Sequence, residues 1–338
     1  MTTTMASLER FLAGPSRFAV QTRELPPLQA DWARLRFIYC GICGSDMSTF
    51  EHRREVEYPI SLGHEFIAEV TEVGASVDSL KPGNFVTSDL NYRCGYCEQC
   101  RAQRSHLCHV GQTGMFSNRA FADFGDIHAS YLLRLDTEPG RHLALSEPLS
   151  CVLHAKQWAN VQPADRVLVI GAGGIGLCMA FALCQQDPPV AFEITDLSAS
   201  RLKLIGKAVA PRGRATPAPQ GKYDVVFDVS GSESGLQAAC THVRPGGRLC
   251  LMSHLDGYTT ADFLLGDLTR KDVTFTISYL NGGPENLTTA AHLLSERWSV
   301  VWDELIEVRS IDQLQEAFER RRISPLCKTL IHVDRRLA

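Results

Sequence analysis

The stretch Val167-Leu168-Val169-Ile170-Gly171-Ala172-Gly173-Gly174-Ile175-Gly176 decides how the chain folds. Four apolar residues of strand type run into G-x-G-x-x-G, and a helical stretch follows at once. In that context each glycine has a task. Gly171 permits the tight turn, Gly173 lets the backbone approach a pyrophosphate, and Gly176 lets the helix pack closely on the strand. Gly174 and Ile175 open the helix, whose first N–H groups and dipole favour an anion. Asp196 closes the next candidate strand about 20 residues on, where a carboxylate binds the adenosine ribose hydroxyls and repels a 2′-phosphate. The expected cofactor is therefore NAD rather than NADP. Arg201 follows on the next helix, placed to stack on adenine or meet a phosphate.

Outward from this segment the pattern repeats. Short continuous apolar runs at 166–170, 190–195, 223–229, 248–252 and 273–278 read as strands buried on both faces. Helices fit at 149–160, 174–185, 199–208 and 233–242. The alternation predicts an α/β fold with a doubly wound parallel sheet. Residues 213–221, rich in glycine and proline, read as a surface loop. Residues 1–150 read as β-rich, with strands such as 33–39 and 66–73 bounded by glycine or proline turns. A helix at 311–320 and a strand at 329–333 are expected to return to that first unit.

Two cysteine-bearing constellations lie in the β-rich part. Cys94, Cys97, Cys100 and Cys108 read C-x2-C-x2-C-x7-C. Four thiolates so close in sequence can close a tetrahedral shell around one zinc ion, which staples a loop. The second constellation is dispersed: Cys40-Gly41-Ile42-Cys43-Gly44-Ser45-Asp46, then Gly63-His64-Glu65, then Glu147-Pro148. A catalytic zinc takes about three protein ligands and keeps one position open. Cys43, His64 and Glu147 offer sulfur, imidazole and carboxylate, with Asp46 and Glu65 behind them to orient the ligands. The other cysteines, Cys40, Cys151, Cys178, Cys184, Cys240, Cys250 and Cys327, sit in apolar contexts and read as buried thiols.

Bulk properties exclude several classes. A chain of 338 residues is long enough for two cores. The formal net charge of −4 gives no electrostatic reason to expect nucleic acid or an anionic membrane as partner. No run of about 18 apolar residues is present, so no membrane span is expected. The N-terminus lacks a basic start followed by an apolar run, so a cytoplasmic location is expected.

With these pieces in place the chain resembles the zinc-containing medium-chain dehydrogenase/reductase superfamily, which includes alcohol, sorbitol and threonine dehydrogenases. G-I-C-G-S-D at 41–46, P-x3-G-H-E at 59–65, the four-cysteine loop, E-P-L at 147–149 and the glycine fingerprint carry the likeness. The resemblance implies a GroES-like catalytic domain, 1–150 with 305–338, containing a structural zinc lobe at 91–109. It implies a Rossmann domain at 151–304, with the substrate cleft between the two. It assigns Cys43, His64 and Glu147 to a catalytic zinc, as in the polyol dehydrogenase branch, and Cys94, Cys97, Cys100 and Cys108 to a structural one. Ser45 matches the hydroxyl that passes the substrate proton on, and Glu65 the second carboxylate near the metal. Ser48 stands where many relatives have a relay histidine, so proton release is expected through Ser48, water or His52.

The implied reaction is hydride transfer between a secondary alcohol (polyol, sugar or cyclitol) and NAD, with two zinc ions per chain. The implied partners are a small alcohol or ketone and further copies of the chain, as a homodimer or homotetramer. Phe50, Phe116, Phe121, Tyr279 and Asn281 are expected to line the cleft. Arg119 invites an alternative, an NADP-linked enzyme of a phosphorylated alditol, because guanidinium forks match phosphate oxygens. An aminocyclitol is a further alternative. From another class, a catalytically silent zinc- and nucleotide-binding protein would not need an open metal site. A zinc-free reductase would lack the cysteine loop, and a zinc-ribbon DNA binder would need a basic face.

Overall fold

The computed structural model describes residues 5–111, 118–253, 266 and 268–334. Its centre is a six-stranded sheet in the order Gly213–Ala215, Ala191–Thr195, Arg166–Ile170, Tyr223–Asp228, Val243–Leu251, Thr274–Ile277. Every pairing in it is parallel. The order reverses between Arg166–Ile170 and Tyr223–Asp228, and the crevice beyond such a reversal is where α/β sheets take ligands. The apolar runs form strands here because helices cover both faces. Val167, Val169, Val225 and Phe227 pack into one cluster, while Leu168, Ile170 and Val226 pack into another. The helix Gly174–Cys184 is apolar all round and buried from Gly176 to Cys184, as expected for a helix enclosed by neighbours.

The β-rich part forms a seven-stranded sheet. Ile306–Ser310 and Lys328–His332 lead into Trp32–Gly41, Glu65–Val73, Phe85–Ser88 and Leu132–Leu135, with Phe124–His128 also on Trp32–Gly41. The chain therefore returns at its C-terminal end: Leu330 pairs with Gly41 and His332 with Tyr39. A smaller sheet of Arg17–Glu24, Ala6–Gly14 and Ile60–Ser61 lies beside it.

Some expectations need correction. Residues 213–215 are not loop. They form a short edge strand, because Gly213 lies against the Phe192 ring where no side chain fits. The helix predicted from 149 begins at Ser146, so Glu147 stands in its first turn. Among the described residues Phe50 and Phe121 belong to the core and not to a cleft. Both are buried on Phe318, which the C-terminal return brings into the core. Asn281 is fully buried as well. Its side-chain amide donates to Asp89 (2.9 Å) and its carbonyl oxygen accepts from Asn91, which ties the last parallel strand's exit to the β-rich part. Phe116 lies outside the described residues.

Candidate active site and metal centres

The glycine turn sits at the end of Arg166–Ile170. Gly171 has φ +110°, a conformation that side chains resist, and a Cβ there would meet the Ser230 backbone at 2.9 Å. A Cβ at Gly173 would meet nothing within 4 Å, so that face of the turn is open. Gly173 caps the helix without a side-chain bond, which leaves the first-turn N–H groups available. Asp196 closes onto this turn. One carboxylate oxygen accepts from the Ala172 amide and the other from Ser198, both at 2.7 Å.

Cys43, His64 and Glu65 converge from separate stretches, with ligand atoms all within 4.8 Å of one another. Cys43 is the N-cap of the short helix Gly44–Phe50. Asp46 accepts from the Cys43 amide at 3.0 Å with one oxygen and lies 3.6 Å from His64 Nδ1 with the other. This leaves the far imidazole nitrogen to the cluster. Burial works against charge on His64, but Asp46, Cys43 and Glu147 outweigh it and hold the imidazole well above its usual value. Burial pushes Asp46 up, partly offset by His64.

Glu147 stands outside the 4.8 Å group but close enough to act on His64. Burial brings its carboxyl up to about 7, with His64 opposing and Glu65 adding. The Cys151 thiol donates to Glu147 at 3.4 Å, so Cys151 is not an idle core thiol as its context suggests. Ser45 Oγ, Asp46 Oδ1 and His64 Nδ1 are buried without a hydrogen-bond partner. Such a set, with sulfur, imidazole and two carboxylates around it, fits a divalent cation of zinc type. Ser48 is buried one turn beyond Ser45. His52 is exposed and pairs with the Tyr58 hydroxyl at 3.2 Å.

Cys94, Cys97, Cys100 and Cys108 also gather within 4.8 Å. The Cys94–Cys100 and Cys97–Cys108 sulfurs are 3.9 Å apart, and all four thiols are free. A tetrahedron with about 2.3 Å metal–sulfur bonds requires sulfur–sulfur edges of about 3.8 Å. At Cys108 burial is outweighed by the amides of Cys94, Gly111 and Val110, which bring the thiol down to about 6. Beside these ligands, His106 lies 2.9 Å from the Gly282 carbonyl, so the lobe docks on the end of the parallel sheet.

The sequence reading missed Lys328. It is 2% exposed and forms a buried ion pair with Glu65, while Nζ donates to the Ile42 carbonyl at 3.0 Å. Burial opposes its charge, but Glu65 and Cys43 outweigh this and hold the ammonium above its usual value. Gly41 makes the pair possible, since a Cβ there would overlap Glu65 Oε2 and lie 2.9 Å from the lysine stem. The same stem would lie 2.9 Å from a Cβ at Gly174, so Lys328 touches both the metal cluster and the glycine turn. A lysine within the apolar run Cys327–Val333 was the one available signal. Arg119 is half-exposed, with its guanidinium 3.6 Å from the buried Glu9 carboxylate.

Residues 29–136 match the alcohol dehydrogenase GroES-like domain. Sorbitol dehydrogenase of Bacillus subtilis (strain 168) is 27% identical over 322 residues, 89% of each chain. D-arabitol-phosphate dehydrogenase of Enterococcus avium is 28% identical over 95% of each chain. D-altritol 5-dehydrogenase of Agrobacterium fabrum (strain C58 / ATCC 33970) is 31% identical over 66% of this chain and 68% of its own. The fold is shared with a Sinorhizobium meliloti 1021 structure bound to NADP (TM-score 0.85, 22% identity, 97% and 99% coverage). It is shared too with an Escherichia coli CFT073 alcohol dehydrogenase complexed with NADH (TM-score 0.84, 21% identity, 97% and 100% coverage).

A GroES-like β-rich part, a doubly wound parallel sheet and a cysteine–histidine–carboxylate cluster between them define an oxidoreductase of the alcohol dehydrogenase type. The chain belongs to the zinc-containing medium-chain dehydrogenase/reductase superfamily, among relatives that act on polyols. Among the described residues no helix is long and apolar enough to cross a membrane.

Proposed function

We propose that the chain is a zinc-dependent dehydrogenase that transfers hydride between a secondary alcohol, in a polyol, sugar or cyclitol, and NAD. One observation carries the reading: Lys328 contacts Glu65 in the metal cluster and lies against Gly174 of the dinucleotide turn. A dinucleotide whose pyrophosphate sits at the turn and an alcohol at the cluster then share one cleft, which supplies orientation.

Cys43 and His64, with Glu147 or Glu65, would hold a zinc ion that supplies Lewis acidity and lowers the pKa of an alcohol hydroxyl. The chain's own groups do the rest. Ser45 Oγ, buried and without a partner, takes the hydroxyl proton, and Ser48 lies one turn further along the way out. Asp46, 3.6 Å behind the imidazole, favours a proton on Nδ1 and leaves the other nitrogen for the metal. Gly171, Gly173, Gly174, Ile175 and Gly176 seat the pyrophosphate, and Asp196 selects the unphosphorylated ribose. Cys94, Cys97, Cys100 and Cys108 would hold the structural zinc. The catalytic unit is 1–150 with 305–338, and 151–304 binds the cofactor.

The D-arabitol-phosphate relative keeps a phosphorylated alditol as the second reading. The Arg119 guanidinium considered for that phosphate is half-exposed and lies 3.6 Å from Glu9, an ion pair that competes with such a role. A panel of polyols, cyclitols and sugar phosphates, assayed with NAD and NADP and paired with metal analysis, tests the reading. Turnover of an unphosphorylated polyol with NAD and about two zinc ions per chain is expected. NADH binding without turnover of any alcohol, or about one zinc in active enzyme, would refute it.

A further inference from the structure

The helix Ser146–Trp158 carries one more group that bears on the metal cluster. Glu147 stands in its first turn, and Cys151 follows four residues later, the spacing that sets two side chains on one face. The Cys151 thiol donates to Glu147 Oε1 at 3.4 Å. Among the described residues no other group donates to that carboxylate. Ser150 Oγ donates instead to the Glu147 carbonyl, at 2.5 Å, and so ties the backbone of the turn and not the acid. Glu147 is 3% exposed, so water is a poor substitute for the thiol. Cys151 also lies close enough to Cys43 and Glu65 to feel their charge, which places it beside the cluster.

Each remaining donor of the cluster has a group behind it as well. Asp46 stands 3.6 Å behind His64, and Lys328 holds Glu65. The two carboxylates are held by different chemistry. An ammonium brings a full counter-charge, so Glu65 is half of a buried ion pair. A thiol is a weak, neutral donor, which orients a carboxylate without supplying a counter-charge. Glu147 is therefore directed but left with its charge unspent. With Oε1 engaged, its other oxygen is the one left for a cation.

We propose that Cys151 is a positioning residue for the metal centre: its thiol holds one oxygen of Glu147 and leaves the other turned to the cation. The inference rests on the zinc reading of Cys43, His64 and Glu147. Donors of this outer kind are worth about 10–100-fold in metal affinity. Removing the thiol frees the carboxylate to rotate, so the loss falls on metal binding and not on the fold.

Full-length chain with metal at both centres is compared with Cys151→Ala, Cys151→Ser, Glu147→Ala and the double variant Cys151→Ala/Glu147→Ala. Zinc release is followed against a competing chelator, with Cys97→Ser identifying the four-sulfur step. Cobalt(II) in the dispersed site reports its thiolates by sulfur-to-metal charge transfer. Cys151→Ala is expected to weaken the dispersed site on the order of tenfold. The four-sulfur step, the charge-transfer band and the circular dichroism should stay at wild-type values. Cys151→Ser keeps a donor and should recover most of the affinity. In the double variant the cysteine change should add nothing to the loss caused by Glu147→Ala. Wild-type affinity in Cys151→Ala beside a weakened Glu147→Ala would overturn the proposal. A serine variant as weak as the alanine one, or a further loss in the double variant, would do the same. A charge-transfer band that falls in Cys151→Ala would make the thiol a ligand, which also overturns it. Failure of the underlying reading has its own signature: Glu147→Ala that holds metal as tightly as wild type refutes Glu147 as a ligand, and the proposal with it.

Discussion

Lys328→Met removes the ammonium from the Lys328–Glu65 pair while keeping an unbranched stem of similar volume. Both partners are nearly inaccessible, at 2% and 1% exposure. Breaking such a pair from one side strands a carboxylate in the interior, at a cost of about 3–5 kcal/mol. The Ile42 carbonyl also loses its 3.0 Å donor, which adds about 1 kcal/mol. Against a total stability of ~5–15 kcal/mol this is a large fraction. The assay is urea unfolding of metal-loaded chain for Lys328→Met, Glu65→Gln and the double variant, with metal content checked in each. The double variant leaves no unpaired charge, so it should be less destabilised than the sum of the singles by about 2–3 kcal/mol. Singles that add to within ~0.5 kcal/mol of the double would mean that the pair does not form as described.

Cys97→Ser should cost one equivalent of metal and lower the unfolding midpoint, because a structural zinc site contributes folding free energy; unchanged melting at full metal content would argue against the four-sulfur site. Cys43→Ser should abolish turnover while NADH titration and circular dichroism stay close to wild type; global unfolding would mark Cys43 as structural instead. Lys156 offers a pH test. Burial brings its ammonium down to about 8, against about 10.4 when unfolded. The folded chain binds fewer protons between those values, so the full penalty is present at pH 7 and is relieved as pH rises from about 8 toward 10.4. Lys156→Met should therefore stabilise at pH 7 by about 1–2 kcal/mol after losing the bond to the Ala182 carbonyl, with the gain shrinking toward pH 10; equal midpoints at pH 7 would contradict this.

Local spacing made much of this protein legible. The glycine fingerprint names its own turn because tight turning, close approach and helix packing each need a missing side chain at a fixed offset. Four cysteines within one short loop name their own shell because the chain between them is too short to separate them. The apolar runs name the parallel strands because only burial on both faces tolerates them. The resemblance grouped the dispersed residues Cys43, His64 and Glu147, which spacing alone does not; the structure brings Cys43 and His64 together with Glu65 and leaves Glu147 outside the 4.8 Å group.

Tertiary structure decided what depends on partners far apart in the chain. Glu65 and Lys328 are 263 residues apart, and only the C-terminal return into the seven-stranded sheet brings them together. Phe50 and Phe121 look like cleft residues in sequence, and Phe318 makes them core. Arg201 reads as free to stack on adenine or meet a phosphate, and the structure shows the 321–326 turn accepting from its Nε and Nη2. Arg119 reads the same way, and the fold sets it 3.6 Å from Glu9 as a competing partner. The physical reason is common to all four cases. A side chain's chemistry is written in its residue type, but the groups that spend that chemistry are chosen by the packing of distant strands.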